Sequence, residues 1–223
     1  MKVDYNNIAA GFSKSRKNMK WEEIDYFLEK YLTDTEGKSV LDIGCGSARL
    51  LEQFSNKFDI NKINYIGIDL SSEMINQAKI NFPNQKFSVL SMTDLDKLSG
   101  NKYDFIFFIA SYHHLDDFND RLQVLEKVGE LLNENGIIFM TNWALDSEIN
   151  QKKYNKDIID NSKNNFGSTD YNIYFGEYAR YYHCFSLDEL EYIFKQNNFQ
   201  ILENRLFETQ KNIISIIKKN MDI

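Results

Sequence analysis

"VLDIGCGSARLLEQF", Val40 to Phe54, decides how this chain folds. It begins as a short apolar run, turns at Gly44-Cys45-Gly46, and resumes with leucines and a phenylalanine at helical spacing. A strand that runs straight into a helix across a pair of glycines is how a βαβ unit opens. The glycines let the backbone turn tightly and approach a ligand closely. Asp42 stands just before the turn.

The same alternation continues outward. "INYIGID", Ile63 to Asp69, reads as a second strand, and a serine caps the following helix, "SSEMINQAKI", with an acidic first turn. Lys86 to Leu90 is a third strand. "YDFIFFIA", Tyr103 to Ala110, is an almost unbroken apolar run, as expected of a central strand buried on both faces. "DRLQVLEKVGELL" has helical periodicity, "NENG" ends it, and "IIFMTNW" is a fifth strand. Ala144 to Tyr178 is polar and partly helical. Ser186 and Glu189 cap a helix over "SLDELEYIFKQNNF", and two last strands fall near Gln200–Phe207 and Ile213–Ile217. Strands alternating with helices predict a doubly wound, Rossmann-like α/β sheet of seven strands in one domain, residues 1–223. Ligands of such sheets bind beyond the carboxyl ends of the strands, at the switch point.

Composition narrows the function. The chain has 223 residues, 43% apolar and 26% charged, enough for one well-filled core. No apolar run approaches the roughly 18 residues that span a bilayer, and no signal pattern opens the chain, so no membrane association and a cytoplasmic location are expected. Two cysteines, Cys45 and Cys184, supply neither a disulfide framework nor zinc-ligand spacing, and no metal is expected. A net charge of −7 weighs against unassisted, salt-driven binding of nucleic acid over a broad face. The first twenty residues run the other way, with Lys2, Lys14, Arg16, Lys17 and Lys20 against Asp4.

The acids around the turn point to the cofactor. Asp69 ends the second strand, where an acid can accept both hydroxyls of a ribose. A dinucleotide would suit this arrangement, and so would S-adenosylmethionine. The loop lacks the GxGxxG spacing of dinucleotide binders. The third strand leads into Ser91 and Met92, suited to an adenine, and the fourth into Ala110 and Ser111. Carboxylates beside the loop favour a sulfonium and would repel a pyrophosphate. With Asp42, Gly44, Cys45, Gly46, Asp69 and Leu70, these residues form the expected cofactor site.

The chain here resembles the class I S-adenosylmethionine-dependent methyltransferases along nearly its whole length, with Ala48 in place of a frequent third glycine. Three further stretches are similar to the tRNA wobble-uridine carboxymethyl methyltransferases. The first is "YNNIAAGFSKSRKNMKWEEIDYFL", with Tyr5, Ile8, Ala9, Phe12, Ser13, Arg16 and Trp21. The second is "IASYHHL" followed by "NGIIFMTNWALDSEINQKKYNK", and the third is "RYYHCFSLDELE". The resemblance implies methyl transfer to the carboxylate of 5-carboxymethyluridine in the tRNA anticodon loop. It also implies a small zinc-containing adaptor protein as partner, a helical entry segment over 1–35, and an acceptor-side insertion over 144–185. With Pro83 as the only proline, the Asn/Asp-Pro-Pro-aromatic motif of amino-N-methyltransferases is excluded. The cysteines are misplaced for cytosine-C5 chemistry.

A carboxylate acceptor is already an anion, so it needs orientation rather than a general base. Arginine suits that task. Arg16, His114, Arg180 and His183 are the expected catalytic groups, with Arg180 and His183 facing the carboxylate together. Of His113 and His114, the second is expected to face the cleft. Tyr5, Trp21, Tyr181 and Tyr182 are expected substrate contacts, the last two on alternate faces of one strand. A small-molecule acceptor, and an inactive binding module on the same fold, remain alternatives.

Overall fold

The computed structural model describes residues 21–220. Among the expected site residues, Tyr5 and Arg16 lie outside that range, as does most of the entry segment.

Helix α1 (Glu22–Tyr31) presents Ile24, Phe27 and Leu28 on one side and carries acids in its first turn. It is followed by β1 (Ser39–Ile43), α2 (Arg49–Ser55), β2 (Asn64–Asp69), α3 (Ser72–Asn81), β3 (Lys86–Val89) and β4 (Tyr103–Ile109). Then come α4 (Phe118–Leu131), β5 (Leu132–Trp143), α5 (Glu148–Tyr154), β6 (Thr169–Phe175), β7 (Tyr178–Cys184), α6 (Leu187–Gln196), β8 (Phe199–Leu206) and β9 (Asn212–Lys219). Seven strands form one sheet in the order β3-β2-β1-β4-β5-β9-β8. Strands β1 to β5 pair in parallel, and β9 runs antiparallel between β5 and β8. The order reverses between β1 and β4, so the crevice expected of a doubly wound sheet opens beyond their carboxyl ends.

Period-two alternation along buried strands splits the core into two layers. Leu41, Ile43, Ile106, Phe108, Ile138 and Met140 pack beneath α4 and α6. Val40, Phe105, Phe107 and Phe139 pack beneath α1, α2 and α3. The seven-stranded α/β reading of the sequence is what the structure contains. One boundary differs: β5 starts at Leu132, immediately after α4, and a register shift against β4 absorbs the "NENG" turn before the straight run from Ile137.

The stretch from Ala144 to Tyr178 also holds more than the sequence suggested. Besides α5 it contains β6, which pairs antiparallel with β7 in a separate two-stranded sheet. Its alternation of tyrosine and isoleucine with aspartate and asparagine is a strand pattern, but its partner lies beyond a turn at Gly176 (φ 63°). No helix among the described residues is long and apolar enough to cross a membrane.

Helix α1 is pinned to the far edge of the sheet by one acid. Glu203 accepts hydrogen bonds from Tyr26 Oη at 2.7 Å, Lys30 Nζ at 2.7 Å and Arg205 Nε at 3.0 Å, and also from Tyr31 Oη. Burial pushes its carboxyl up, yet the donors Lys30, Tyr31, Tyr26 and Arg205 outweigh it and hold the group at about 2. A depressed carboxylate stabilises the fold above its unfolded value and loses that contribution as pH falls towards the folded one. Glu203→Ala is therefore expected to cost ~1–2 kcal/mol near neutrality, allowing for partial solvent screening. In urea titrations the gap from wild type should narrow as pH drops from 4.5 towards 2.

Candidate active site

The crevice is assembled around a close approach of two turns. Gly44 has φ 78°, and a Cβ added there would lie 2.4 Å from Ser111 Cβ, closer than atoms can pack. Ser111, which follows β4, donates its hydroxyl to the Ile43 carbonyl at 2.6 Å. The amides of Gly44 and Cys45 both donate to Ile68 O, at 2.8 and 2.9 Å, which ties the turn to the end of β2. Gly46 N then donates to Asp69 Oδ2 at 2.9 Å, while Ser71 N donates to Oδ1 at 2.8 Å. Burial raises the Asp69 carboxyl, opposed by those two amides and by the charge of Arg180. Each carboxylate oxygen keeps a further lone pair for a hydroxyl. Ala48, in the place of the third glycine, adopts the left-handed conformation (φ 67°) that glycine takes more cheaply.

Asp42 is completely buried and bonded by Tyr65 Oη at 2.8 Å. Burial pushes its carboxyl up to about 7, the Tyr65 bond opposing and Asp69 adding to the rise. Burial likewise pushes up the Cys45 thiol, which suits packing rather than nucleophilic work. Ala110 is also left-handed (φ 53°), with its amide held by Thr141 O and Oγ1 at 3.1 and 2.9 Å. Leu70 is 57% exposed, and Ser91 and Met92 are half-buried beyond β3, where Ser91 Oγ accepts from Thr93 N.

The β6–β7 hairpin supplies the opposite wall, and its two faces do different things. Arg180 and Tyr182 share one face with their cross-strand partners Ile173 and Tyr171. Arg180 Nη2 lies 2.8 Å from His114 Nε2, and His114 Nδ1 lies 2.9 Å from the Tyr181 carbonyl. A carbonyl can only accept, so Nδ1 carries the proton and Nε2 accepts from the guanidinium. His113 is buried, its Nδ1 accepting from Trp143 N at 3.2 Å, while His114 is half-buried beside Arg180. Tyr182 is buried, stacked on Trp143 at 4.9 Å and 9°, with the Arg180 guanidinium 5.3 Å from its ring centre.

His183 faces the other way, which corrects the expectation that it joins Arg180 at an acceptor. Residues three positions apart along a strand, as 180 and 183 are, point to opposite faces. His183 Nδ1 is 2.6 Å from Asp170 Oδ1 and Nε2 is 2.8 Å from Glu189 Oε2. Arg121 Nη1 reaches Glu189 Oε1 at 3.1 Å, and Tyr181 Oη bridges Arg121 and Asp170 at 3.2 and 2.7 Å. Burial would raise Glu189, but the His183 bond and charge, with Ser168 and Asn164, bring it to about 2. Tyr181 thus belongs to an internal ionic network and Tyr182 to an aromatic one, in place of the expected open substrate contacts. Trp21 is also enclosed: it is 8% exposed, with the Arg49 guanidinium 4.9 Å from its ring centre. Arg49 and Arg121 were missed in the sequence because their helical spacing marks them as ordinary charged positions, and Glu189 was read there only as a capping residue.

Fold and site together define an open α/β domain with a cofactor crevice at its switch point. The chain belongs to the methyltransferase domain family, whose sequence model matches residues 15–204. It is 28% identical over 153 residues to the tRNA (carboxymethyluridine(34)-5-O)-methyltransferase of Saccharomyces cerevisiae, covering 68% of this chain and 50% of that protein. The chain spans about half the length of the first curated relatives it matches. Its fold is that of a S-adenosylmethionine-dependent methyltransferase from Clostridium acetobutylicum, with TM-score 0.68, 20% identity and coverage of 96% and 98% of the two chains. It also matches a chain from the complex of the Haloferax volcanii Trm112 methyltransferase activator with a methyltransferase, with TM-score 0.68, 16% identity and 98% coverage of both.

Two outcomes follow from the geometry. Gly44→Ala should destabilise the protein by about 2–4 kcal/mol in thermal melts, through positive φ and overlap with Ser111. A carboxyl raised on folding stabilises below its unfolded value, and that contribution is lost as pH rises through the folded one. Stability of the ligand-free protein should therefore decline between pH 3.8 and about 7 on account of Asp42. Asp42→Asn should flatten that part of the profile.

Proposed function

We propose that this chain methylates a carboxylate, using S-adenosylmethionine, and that the acceptor is 5-carboxymethyluridine at the tRNA wobble position. The observation that carries the reading is Arg180, buried on the cleft face of β7, bonded to His114 and within electrostatic reach of Asp69. A guanidinium offers a rigid fork that matches a carboxylate. His114 is occupied on both ring nitrogens and serves to orient Arg180, not to take a proton. That suits an acceptor which is already ionised at neutral pH.

When bound, the cofactor would supply an electrophilic methyl group on a sulfonium, the O–CH3 bond of the ester forming as the CH3–S bond breaks and the neutral thioether leaves. Asp69 is the group for the ribose hydroxyls, the Gly44–Gly46 backbone for the amino-acid end, and Ser91 and Met92 for the adenine. Anion and cation cancel as the bond forms, so a crevice walled by Tyr182, Trp143 and buried strand ends favours the step over bulk water. Exposed Lys152, Lys153 and Lys156 on and after α5, beside Tyr154, offer a basic strip for a phosphate backbone. Because the chain as a whole carries −7, we include a small activator protein in the proposal, as in the Haloferax complex.

The test is transfer of labelled methyl to tRNA lacking the ester, with nucleoside analysis and release of the label by mild base. Label in a base-stable product, or transfer only to a free small carboxylic acid, would overturn the tRNA acceptor. Arg180→Ala should lower kcat/KM at least ~100-fold with cofactor affinity nearly unchanged. Asp69→Ala should weaken cofactor binding by ~10-fold or more in calorimetry. Unchanged affinity would remove the ribose assignment.

A further inference from the structure

Two buried donors meet where α1 enters the domain, and neither has an acceptor among the described residues. Trp21 Nε1 is a donor only, is shielded from solvent, and makes no hydrogen bond among the described residues. Arg49 Nη2 is in the same condition. Their side chains are stacked, the guanidinium carbon 4.9 Å from the ring centre, so both orphan donors belong to one junction. Orphaned buried donors are uncommon, because each gives up its bonds to water and gains none in return. Two such donors on stacked side chains, one of them cationic, have the chemistry that an anion would satisfy.

Among the described residues Arg49 forms no ion pair. Glu52 is the carboxylate felt by Arg49, and it is exposed on the outer face of α2. Burial is the larger influence and lowers the Arg49 pKa, the mark of a cation short of compensation. Gln53, one helical turn beyond Arg49, donates to the Trp21 carbonyl at 3.1 Å and to Asp25 Oδ1 at 3.4 Å, which fixes the start of α1 against α2. The pair is therefore held rigidly. Its position is also telling: Arg49 stands three residues beyond Gly46, whose amide holds Asp69.

We propose that Trp21 Nε1 and the Arg49 guanidinium form a carboxylate-binding subsite at the rim of the cofactor crevice. The indole supplies one neutral donor and the guanidinium a charged one, a combination that suits a planar, singly charged carboxylate. This inference rests on the methyltransferase reading above, in which two carboxylates come to the crevice: that of the cofactor's amino-acid end and that of the acceptor. Both present the same chemistry to the pair.

Calorimetry with S-adenosylhomocysteine and with 5′-methylthioadenosine, which lacks the amino acid, separates the sources. The variants are Arg49→Met, Arg49→Lys and Trp21→Phe; the last keeps an aromatic ring but removes the N–H together with part of the buried indole, and thermal melts establish that each is folded. If the subsite takes the cofactor's carboxylate, S-adenosylhomocysteine affinity falls ~10-fold or more in Arg49→Met and several-fold in Trp21→Phe, while methylthioadenosine binding is unchanged. If it takes the acceptor's, both nucleosides bind as in wild type and the acceptor KM rises ~10-fold at near-constant kcat. In either case Arg49→Lys recovers part of the loss. Wild-type values for both nucleosides and for acceptor KM in folded Arg49→Met and Trp21→Phe overturn the subsite. Failure of the wild-type protein to bind either nucleoside overturns the methyltransferase reading itself, and the subsite with it.

Discussion

Everything in the crevice depends on Gly44 and Ser111 occupying almost the same space. The missing side chain of Gly44 lets the turn after β4 settle against the turn after β1, and the Ser111 hydroxyl locks that contact onto Ile43. With the two strand ends held together, the amides of Gly44, Cys45 and Gly46 take up fixed bonds to β2 and Asp69. Strand pairing in the sheet sets the direction of these ends. The glycine sets how near they come, and a change of one carbon would reopen the gap.

Charge is distributed around this contact by burial. Asp42 is buried and Asp69 half-buried, and both carboxyls are raised, by burial before any other influence. Such groups gain most from a ligand that brings positive charge with it. Glu189 and Glu203 are the reverse: donors outnumber the cost of burial, and they serve as anchors for α6 with the hairpin, and for α1 with the sheet. Acids of the same kind thus divide between a binding role and a structural one according to whether the protein already supplies their partners.

Much of this was legible in the sequence. The unbroken apolar run at Tyr103–Ala110 and the glycine pair after Val40–Ile43 are local signals, and local signals survive without coordinates. The acids at 42 and 69 were readable for the same reason, since their meaning comes from their place at strand ends. What could not be read was long-range. Strand β6 acquires its identity from β7, and Glu189 looked like a capping-box residue, which it is in part, with Ser186 Oγ accepting from its amide at 3.1 Å. Its side chain instead closes a network drawn from α4, β6 and β7. Arg49 and Trp21, twenty-eight positions apart, gave no sign of stacking; only the packing of α1 on α2 brings them together.

Strand β7 carries two programmes in alternate residues, Arg180 and Tyr182 on one side, Tyr181 and His183 on the other. A slip of one residue against β6 would exchange the sets, placing histidine and an acid-bound phenol in the cleft and a guanidinium among buried carboxylates. The cross-strand contact of His183 with Asp170 is made only in the native alignment. That pair therefore acts as a checksum on the alignment of the hairpin, and fidelity of strand registration at the back of the strand becomes a condition for chemistry at the front.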